Sequence, residues 1–148
     1  MEKLSRKATE LTRREWRDLR FFYCSDTEMR EWRFIGSREG LLTFAKSLDA
    51  YATDPRYEAQ SEHLHLGPHM YLKVMTWPHP GIDQHSIHGT LDDIKRLAGL
   101  IRQKLAPASP GEVITLGSEY CRDSQYKLVF SVKEDDFDPA TEDPQLAG

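Results

Sequence analysis

A chain of 148 residues is long enough to enclose one hydrophobic core, so we expect a single domain spanning residues 1–148. Its 20 basic and 24 acidic residues give a net charge of −4, which argues against nucleic acid as a partner because nucleic-acid binders carry a basic surface. We expect neither a membrane helix nor a secretory signal, because no apolar stretch is long enough for either. Cys24 and Cys121 match no paired-cysteine motif, so we expect a reduced, cytoplasmic protein; a disulfide in a secreted form is the alternative.

Residues 1–30 are interpreted as an N-terminal arm. Thr12 followed by Glu15 resembles a capping box, which predicts a helix over about 12–20. The run Phe21-Phe22-Tyr23 predicts a short strand or a staple onto the body, and Ser25-Asp26 predicts a turn.

Residues 31–82 form the first predicted unit. Trp32-Arg33-Phe34-Ile35 predicts a strand that ends at Gly36, and Ser37 is placed to cap a helix over Arg38–Tyr51. The buried stripe of this helix follows the i, i+3, i+4 spacing at Leu41, Phe44, Ala45, Leu48 and Ala52. The strands His63–Leu66 and Met70–Trp77 then predict a hairpin joined at Gly67-Pro68.

Residues 83–134 form the second predicted unit. It follows the segment from Trp77 to Gly81, whose two prolines interrupt regular structure. His85–His88 predicts a strand, and Thr90 with Asp93 predicts a capping box before a helix that ends at Leu105. Strands over Glu112–Gly117 and Tyr126–Glu134 predict a closing hairpin. Residues 135–148 are acidic and without periodicity, which predicts a tail that is disordered or lies loosely on the surface.

The two predicted units align with each other. Setting Gly36 on Gly89, a shift of fifty-three, superimposes the helix caps and the apolar stripes. Further along the chain, Tyr71–Val74 matches Tyr126–Val129 at a shift of fifty-five. Neither unit alone buries both its helix stripe and its sheet face, so we expect them to pair around one core. The predicted fold is α+β, with two βαββ units forming a mostly antiparallel sheet, two helices packed on one face, and an N-terminal helical arm.

All six histidines lie between Ser61 and Gly89. His63 and His65 are two apart on a predicted strand, so both side chains project from one face, as in sites for zinc, iron or copper. Asp83, His85 or His88 would complete such a site, and the alternative metal set is His63, His65 and His85. The simpler interpretations are that these histidines are hydrogen-bonded residues of a sheet face, or that they form a surface that responds to pH. We expect no cofactor, with a divalent metal such as zinc as the alternative.

Tyr71, Met75 and Trp77 alternate along one predicted strand. The simpler interpretation is that their face belongs to the core. If that face is exposed, Trp77 beside the Pro-His-Pro turn resembles a protein-binding hot spot. The candidate partner-binding residues are Trp77, His79, Asp83, His85, His88 and Tyr71.

Catalytic motifs do not stand out from the sequence. The chain contains no GxSxG, GxGxxG or GxxxxGK[ST] motif, and neither cysteine lies in a recognised nucleophile context. We assign no catalytic residue, and a non-enzymatic role is favoured over an enzymatic one.

Two short stretches resemble a known group of proteins. Glu31-Trp32-Arg33-Phe34-Ile35-Gly36 leading into Gly40-Leu41, and His63-Leu64-His65-Leu66, are similar to immunity proteins of bacterial polymorphic-toxin systems, particularly the Imm32-like group. The resemblance covers about residues 31–77. It implies a non-enzymatic cytoplasmic protein that binds and blocks a cognate toxin. Acidic residues, Asp135–Asp143 among them, would meet a basic cleft of the toxin, and Trp77 would fill a pocket.

Two other functions remain open at the level of sequence. One is a metal-binding protein or metal-dependent enzyme built on His63, His65 and His85, and the other is a housekeeping interaction domain. With any of them we expect no membrane partner, no nucleic acid, and a monomer or homodimer.

Overall fold

A computed structural model of the chain describes residues 5–59 and 63–146. The helices and strands in these residues are, in chain order, α1 (Arg6–Leu19), β1 (Phe22–Asp26), β2 (Glu31–Ser37), α2 (Arg38–Thr53), β3 (His63–Leu66), β4 (Leu72–Thr76), β5 (Gly81–Ile82), β6 (Ser86–Gly89), α3 (Leu91–Leu105), β7 (Val113–Leu116) and β8 (Lys127–Lys133). Short 3₁₀ helices follow α2 at Pro55–Glu58 and follow β8 at Pro139–Glu142 and Pro144–Leu146. The predicted α+β class and the N-terminal helix are confirmed.

The described strands form two four-stranded sheets, where the sequence alone suggested one. The first sheet has the strand order β1-β2-β8-β7, and the second has the order β3-β4-β6-β5. In each sheet the outer pairs are antiparallel and the central pair, β2–β8 or β4–β6, is parallel. The parallel pairs arise because each sheet joins two hairpins from different parts of the chain.

The internal repeat appears in the topology as an approximate twofold relation. Each unit is a hairpin, a helix and a second hairpin, and each sheet combines the first hairpin of one unit with the second hairpin of the other. The unit is therefore one strand longer than the βαββ pattern. Strand β1 lies inside the predicted arm of residues 1–30, and β5 lies inside the predicted first unit, so both boundaries move. The run Phe21-Phe22-Tyr23 indicated β1 only as a strand or a staple, and the predicted turn at Ser25-Asp26 is instead the end of that strand. The sequence did not indicate β5, because only two residues form it after the prolines.

The strand register corrects one part of the repeat alignment. Phe34 pairs with Phe130 in the first sheet, and Ile87, the equivalent of Phe34 at a shift of fifty-three, pairs with Val74 in the second. Val74 is therefore the counterpart of Phe130, not of Val129, and the final strands match at a shift of fifty-six. The difference matters because a slip of one residue exchanges the two faces of a strand.

Helices α2 and α3 occupy equivalent places and pack against each other. Ser37 Oγ accepts a hydrogen bond from the Gly40 backbone N–H at 3.0 Å, and the predicted capping box of Thr90 and Asp93 is present. The predicted stripes are buried, except that Ala52 at the end of α2 and Leu91 at the start of α3 are only partly covered. Burial of each Leu or Ile side chain contributes about 1.5–3 kcal/mol relative to exposure, so this helix pair supplies much of the core.

The N-terminal helix begins earlier than predicted. Its N-cap is Ser5, whose side chain accepts a hydrogen bond from the Ala8 backbone N–H at 3.1 Å, and Thr12 lies within the helix. Ser5 and Thr12 both have the hydroxyl group that caps a helix, so the sequence alone does not show which of them begins the helix. The helix packs on the rest of the protein through Trp16, which is buried against Phe22 with the ring centroids 4.7 Å apart.

The prediction of a loose acidic tail is wrong for the described residues up to 146. Asp143 is buried and accepts a hydrogen bond from Trp16 Nε1 at 2.8 Å, and Asp138 forms an ion pair with Arg17 at 2.8 Å. Proline-initiated 3₁₀ turns fix the segment against α1. These turns are too short to produce a periodic pattern in the sequence.

Candidate functional site

The outer face of the second sheet is the surface on which most of the predicted site residues lie. Leu72 and Val74 are fully buried, so the alternation of β4 directs the neighbouring odd-numbered residues outward. Tyr71 and Trp77, at the two ends of this strand, are 62% and 45% exposed. The interpretation of this stripe as core is therefore wrong for Tyr71 and Trp77, and Met75 between them is partly buried. Both faces of β4 are apolar, so periodicity did not distinguish them.

The edge strand β5 of the second sheet lacks the aromatic anchor that the first sheet has on its edge strand β1. In the first sheet, Phe22 lies on the outer side of the edge strand and packs against the Trp16 indole of α1. Its counterpart in the second sheet is Gly81, which pairs with His88 as Phe22 pairs with Ile35. Glycine offers no side chain for a covering helix to pack on, and no helix in the described part of the chain covers this edge.

His63 and His65 lie side by side on the edge strand β3. Both side chains are exposed, and their ring centroids are 4.7 Å apart at an angle of 77°. His63 is directly across from Met75, and His65 is directly across from Lys73. The predicted common face of the two imidazoles is therefore present.

His88 is the half-buried histidine of this sheet. Its Nδ1 lies 2.9 Å from Ser86 Oγ and 4.0 Å from Asp83 Oδ2. A Cβ at Gly81 would lie 2.5 Å from His88 Nε2, so the absent side chain is what admits the ring. Burial lowers the pKa of His88 below its usual value, and the nearby Asp83 carboxylate opposes that shift.

The arrangement of Ser86, His88 and Asp83 is not that of a hydrolytic triad. A triad needs the serine on one imidazole nitrogen and the carboxylate on the other, whereas here both approach Nδ1. Ser86 is 3% exposed, and Asp83 uses Oδ1 to accept from the backbone N–H groups of His85 and Ser86. The geometry holds a turn and a histidine ring in place and offers no exposed nucleophile.

Cys24 also lacks the features of a nucleophile. Burial raises the pKa of the Cys24 thiol, and this effect outweighs the opposing influence of Arg33. Both cysteines are free thiols, so the alternative of a Cys24–Cys121 disulfide is not formed.

Two adjoining grooves lie beside β5. One of about 450 Å³ is lined by residues that include His79, Asp83 and His88, and the other, of about 430 Å³, is lined by residues that include Asp83 and His85. Gln125 lines both grooves, so the loop between β7 and β8 forms their common wall. The structure thus brings four of the six predicted partner residues to one end of the second sheet, while Tyr71 and Trp77 lie on its outer face.

The alternative metal set of His63, His65 and His85 does not come together. His85 precedes β6, which is separated from β3 by the whole width of β4, and its Nε2 lies 3.0 Å from the side-chain nitrogen of Gln84. Among residues 5–59 and 63–146, no three His, Cys, Asp or Glu side chains form a group able to hold a metal.

His69 and Asp143 form a contact that the sequence analysis missed. His69 Nε2 lies 3.0 Å from Asp143 Oδ2, and the imidazole stacks on Tyr71 with the centroids 5.3 Å apart. Burial raises the pKa of Asp143, but the hydrogen bonds from His69, Trp16 and the Gln145 backbone N–H, together with the charge of His69, lower it overall. Residues 74 positions apart form this bond, so no local sequence signal marks it.

Comparison with protein-family models, with curated proteins and with solved structures found no match. No helix of the described residues is both long and apolar enough to cross a membrane.

Proposed function

We propose that this chain is a non-enzymatic binding protein, an immunity protein that neutralises a bacterial toxin by covering it with the outer face of the second sheet. The observation that carries the proposal is the exposure of Tyr71 and Trp77 on one sheet face, with Met75 between them. Tyrosine and tryptophan are the side chains most often responsible for binding energy in protein interfaces.

The surroundings of this stripe support a protein partner over a small molecule. The stripe lies on an open sheet face, whereas small ligands are usually enclosed by concave pockets. Lys73 and the imidazoles of His63 and His65 form its polar rim, as expected around an interface hot spot.

The acidic C-terminal segment has a smaller part in this proposal than the resemblance implied. Asp138 is paired with Arg17, and Asp143 is buried beneath Trp16 and His69. These two carboxylates therefore stabilise the fold, and Asp135, Asp136 and Glu142 are the exposed acids of the described segment that remain to attract a basic toxin surface.

The test is to express the chain together with the toxin encoded beside its gene and to measure bacterial growth and toxin affinity. We expect the wild-type chain to protect the cells, and Trp77→Ala to weaken toxin binding about 30-fold or more, the effect of losing a hot-spot side chain. Met29→Ala is the matched control, because Met29 is 57% exposed but lies in the β1–β2 turn.

Equal affinities of Trp77→Ala and Met29→Ala for the toxin would exclude this face as the binding surface. A partner that binds through Trp77 but is harmless to the cell would favour the housekeeping interaction domain instead.

A further inference from the structure

The outer face of the second sheet also carries an unusual donor set that includes a sulfur atom. His63 on β3 is directly opposite Met75 on β4, and His65 is two residues along the same strand. Directly opposite residues in an antiparallel pair have Cβ atoms about 4.5–5.5 Å apart and share a face. Two imidazoles and one thioether therefore project from one small area of the surface.

From this arrangement we propose that His63, His65 and Met75 form a binding site for monovalent copper. Thioether sulfur is a soft ligand that selects Cu(I), and imidazole also binds copper well. The two histidine rings already lie with their centroids 4.7 Å apart, so small rotations of the side chains direct one nitrogen of each toward a shared ion. Met75 is partly buried, and its flexible side chain reaches the third side of the site by a change of rotamer.

Charge on this face favours a monovalent ion over a divalent one. The strands β3, β4 and β6 contain no Asp or Glu, so no carboxylate of these strands compensates the charge of a bound cation. Lys73 is directly across from His65, and its repulsion of a dication is twice its repulsion of a monocation at the same distance. Zinc prefers four ligands from Cys, His and carboxylates, and the β3–β4 hairpin supplies only two of that kind.

His88 is not part of the site, although it is directly across from Met75 on the opposite side. Its Nδ1 is engaged by Ser86, and its Nε2 lies over Gly81 at the sheet edge. The proposed ligand set thus differs from a set of three histidines by replacing His85 with Met75. The proposal of a copper site does not depend on the proposed toxin-binding function.

The test is an anaerobic titration of the intact chain with Cu(I) in competition with the chelator bicinchoninate. We expect one equivalent of Cu(I) to bind. His63→Ala, His65→Ala and Met75→Leu should each raise the dissociation constant at least tenfold. His85→Ala and Met29→Leu are matched controls that should leave it within twofold. We also expect Zn(II) to bind the wild-type chain at least tenfold more weakly than Cu(I).

A second measurement detects the sulfur directly and does not depend on the chelator. In a chain labelled with ¹³C at the methionine methyl groups, Ag(I), a diamagnetic substitute for Cu(I), should shift one methyl signal, and that signal should be absent from Met75→Leu. Circular dichroism verifies that each variant is folded, which we expect because all three side chains lie on the surface. The proposal is overturned if the wild-type chain does not compete for Cu(I), if Met75→Leu binds as tightly as Met29→Leu, or if His85→Ala abolishes binding.

Discussion

At the scale of single residues, the Asp143 carboxylate joins three distant parts of the chain. It accepts hydrogen bonds from Trp16 Nε1 of α1, from His69 in the β3–β4 turn and from the backbone N–H of Gln145. Because its carboxyl is buried, loss of these bonds leaves donors without partners, which typically destabilises a protein by about 1–3 kcal/mol for each group. We therefore expect Asp143→Asn to lower the free energy of unfolding at pH 7 by about that amount.

The acid dependence of stability follows from the lowered pKa of Asp143. A carboxyl with a folded-state pKa below its unfolded value of about 3.9 stabilises the fold above that pH, and this contribution disappears as the pH falls through the lower folded value. Urea denaturation from pH 7 to pH 2 should show a steeper loss of stability in the wild type than in Asp143→Asn. Asp136→Asn, an exposed site in the same segment, is the control, and parallel pH curves for wild type and Asp143→Asn would contradict the assignment.

At the scale of elements, α2 begins where the backbone of α1 ends, and the contact needs a glycine. A Cβ at Gly40 would lie 2.2 Å from the carbonyl oxygen of Arg20, whereas a Cβ at Gly99 in α3 would meet nothing within 4 Å. Alanine is favoured over glycine in a helix by about 0.5–1 kcal/mol. The two positions should therefore respond to the same substitution in opposite directions.

We expect Gly99→Ala to raise the melting temperature and Gly40→Ala to lower it, as measured by calorimetry. The second effect arises because the clash with backbone atoms moves α2 away from α1. An increase in melting temperature for Gly40→Ala would contradict this close contact between the two helix ends.

The elements also show what the sequence was able to predict. The helices α2 and α3 were predicted almost to the residue, because a hydroxyl cap and an uninterrupted apolar stripe are local signals. Strand β4 was found, but its faces were assigned wrongly, because Leu72 and Val74 alternate with Tyr71, Met75 and Trp77 and both sets are apolar. Which face is buried depends on the partner strands, and the sequence of β4 does not contain that information.

The candidate site was predicted in part, for the same reason. The pair His63 and His65 was visible from their spacing, and the hairpin register then placed Met75 beside them. A cross-strand neighbour is defined by the register and not by a motif, so the set of two imidazoles and a thioether was not recognisable in the sequence. The bond between His69 and Asp143 was hidden in the same way.

At the scale of the whole molecule, neither unit contains a complete sheet. Each sheet takes one hairpin from each unit, and α2 packs on α3, so a separated half would leave its helix stripe and both hairpins unpaired. We expect the fragments 1–79 and 80–148 to lack a folded monomeric state, and to form a folded 1:1 complex when they are produced together. Sedimentation and circular dichroism provide the measurement, and a half that unfolds cooperatively as a monomer would contradict the exchange of hairpins.

The proposed function requires that the outer face of the second sheet is exposed in the free protein and is covered by the proposed toxin partner. Hydroxyl-radical footprinting of the chain, alone and in complex with the toxin, measures both conditions through the oxidation of Tyr71, Met75 and Trp77. We predict oxidation of the exposed Tyr71 and Trp77 and of the partly buried Met75 in the free chain, slow oxidation of the buried Trp16 and Trp32, and protection of the first three in the complex. Slow oxidation of Trp77 in the free chain, or an unchanged rate for all three in the complex, would contradict the account.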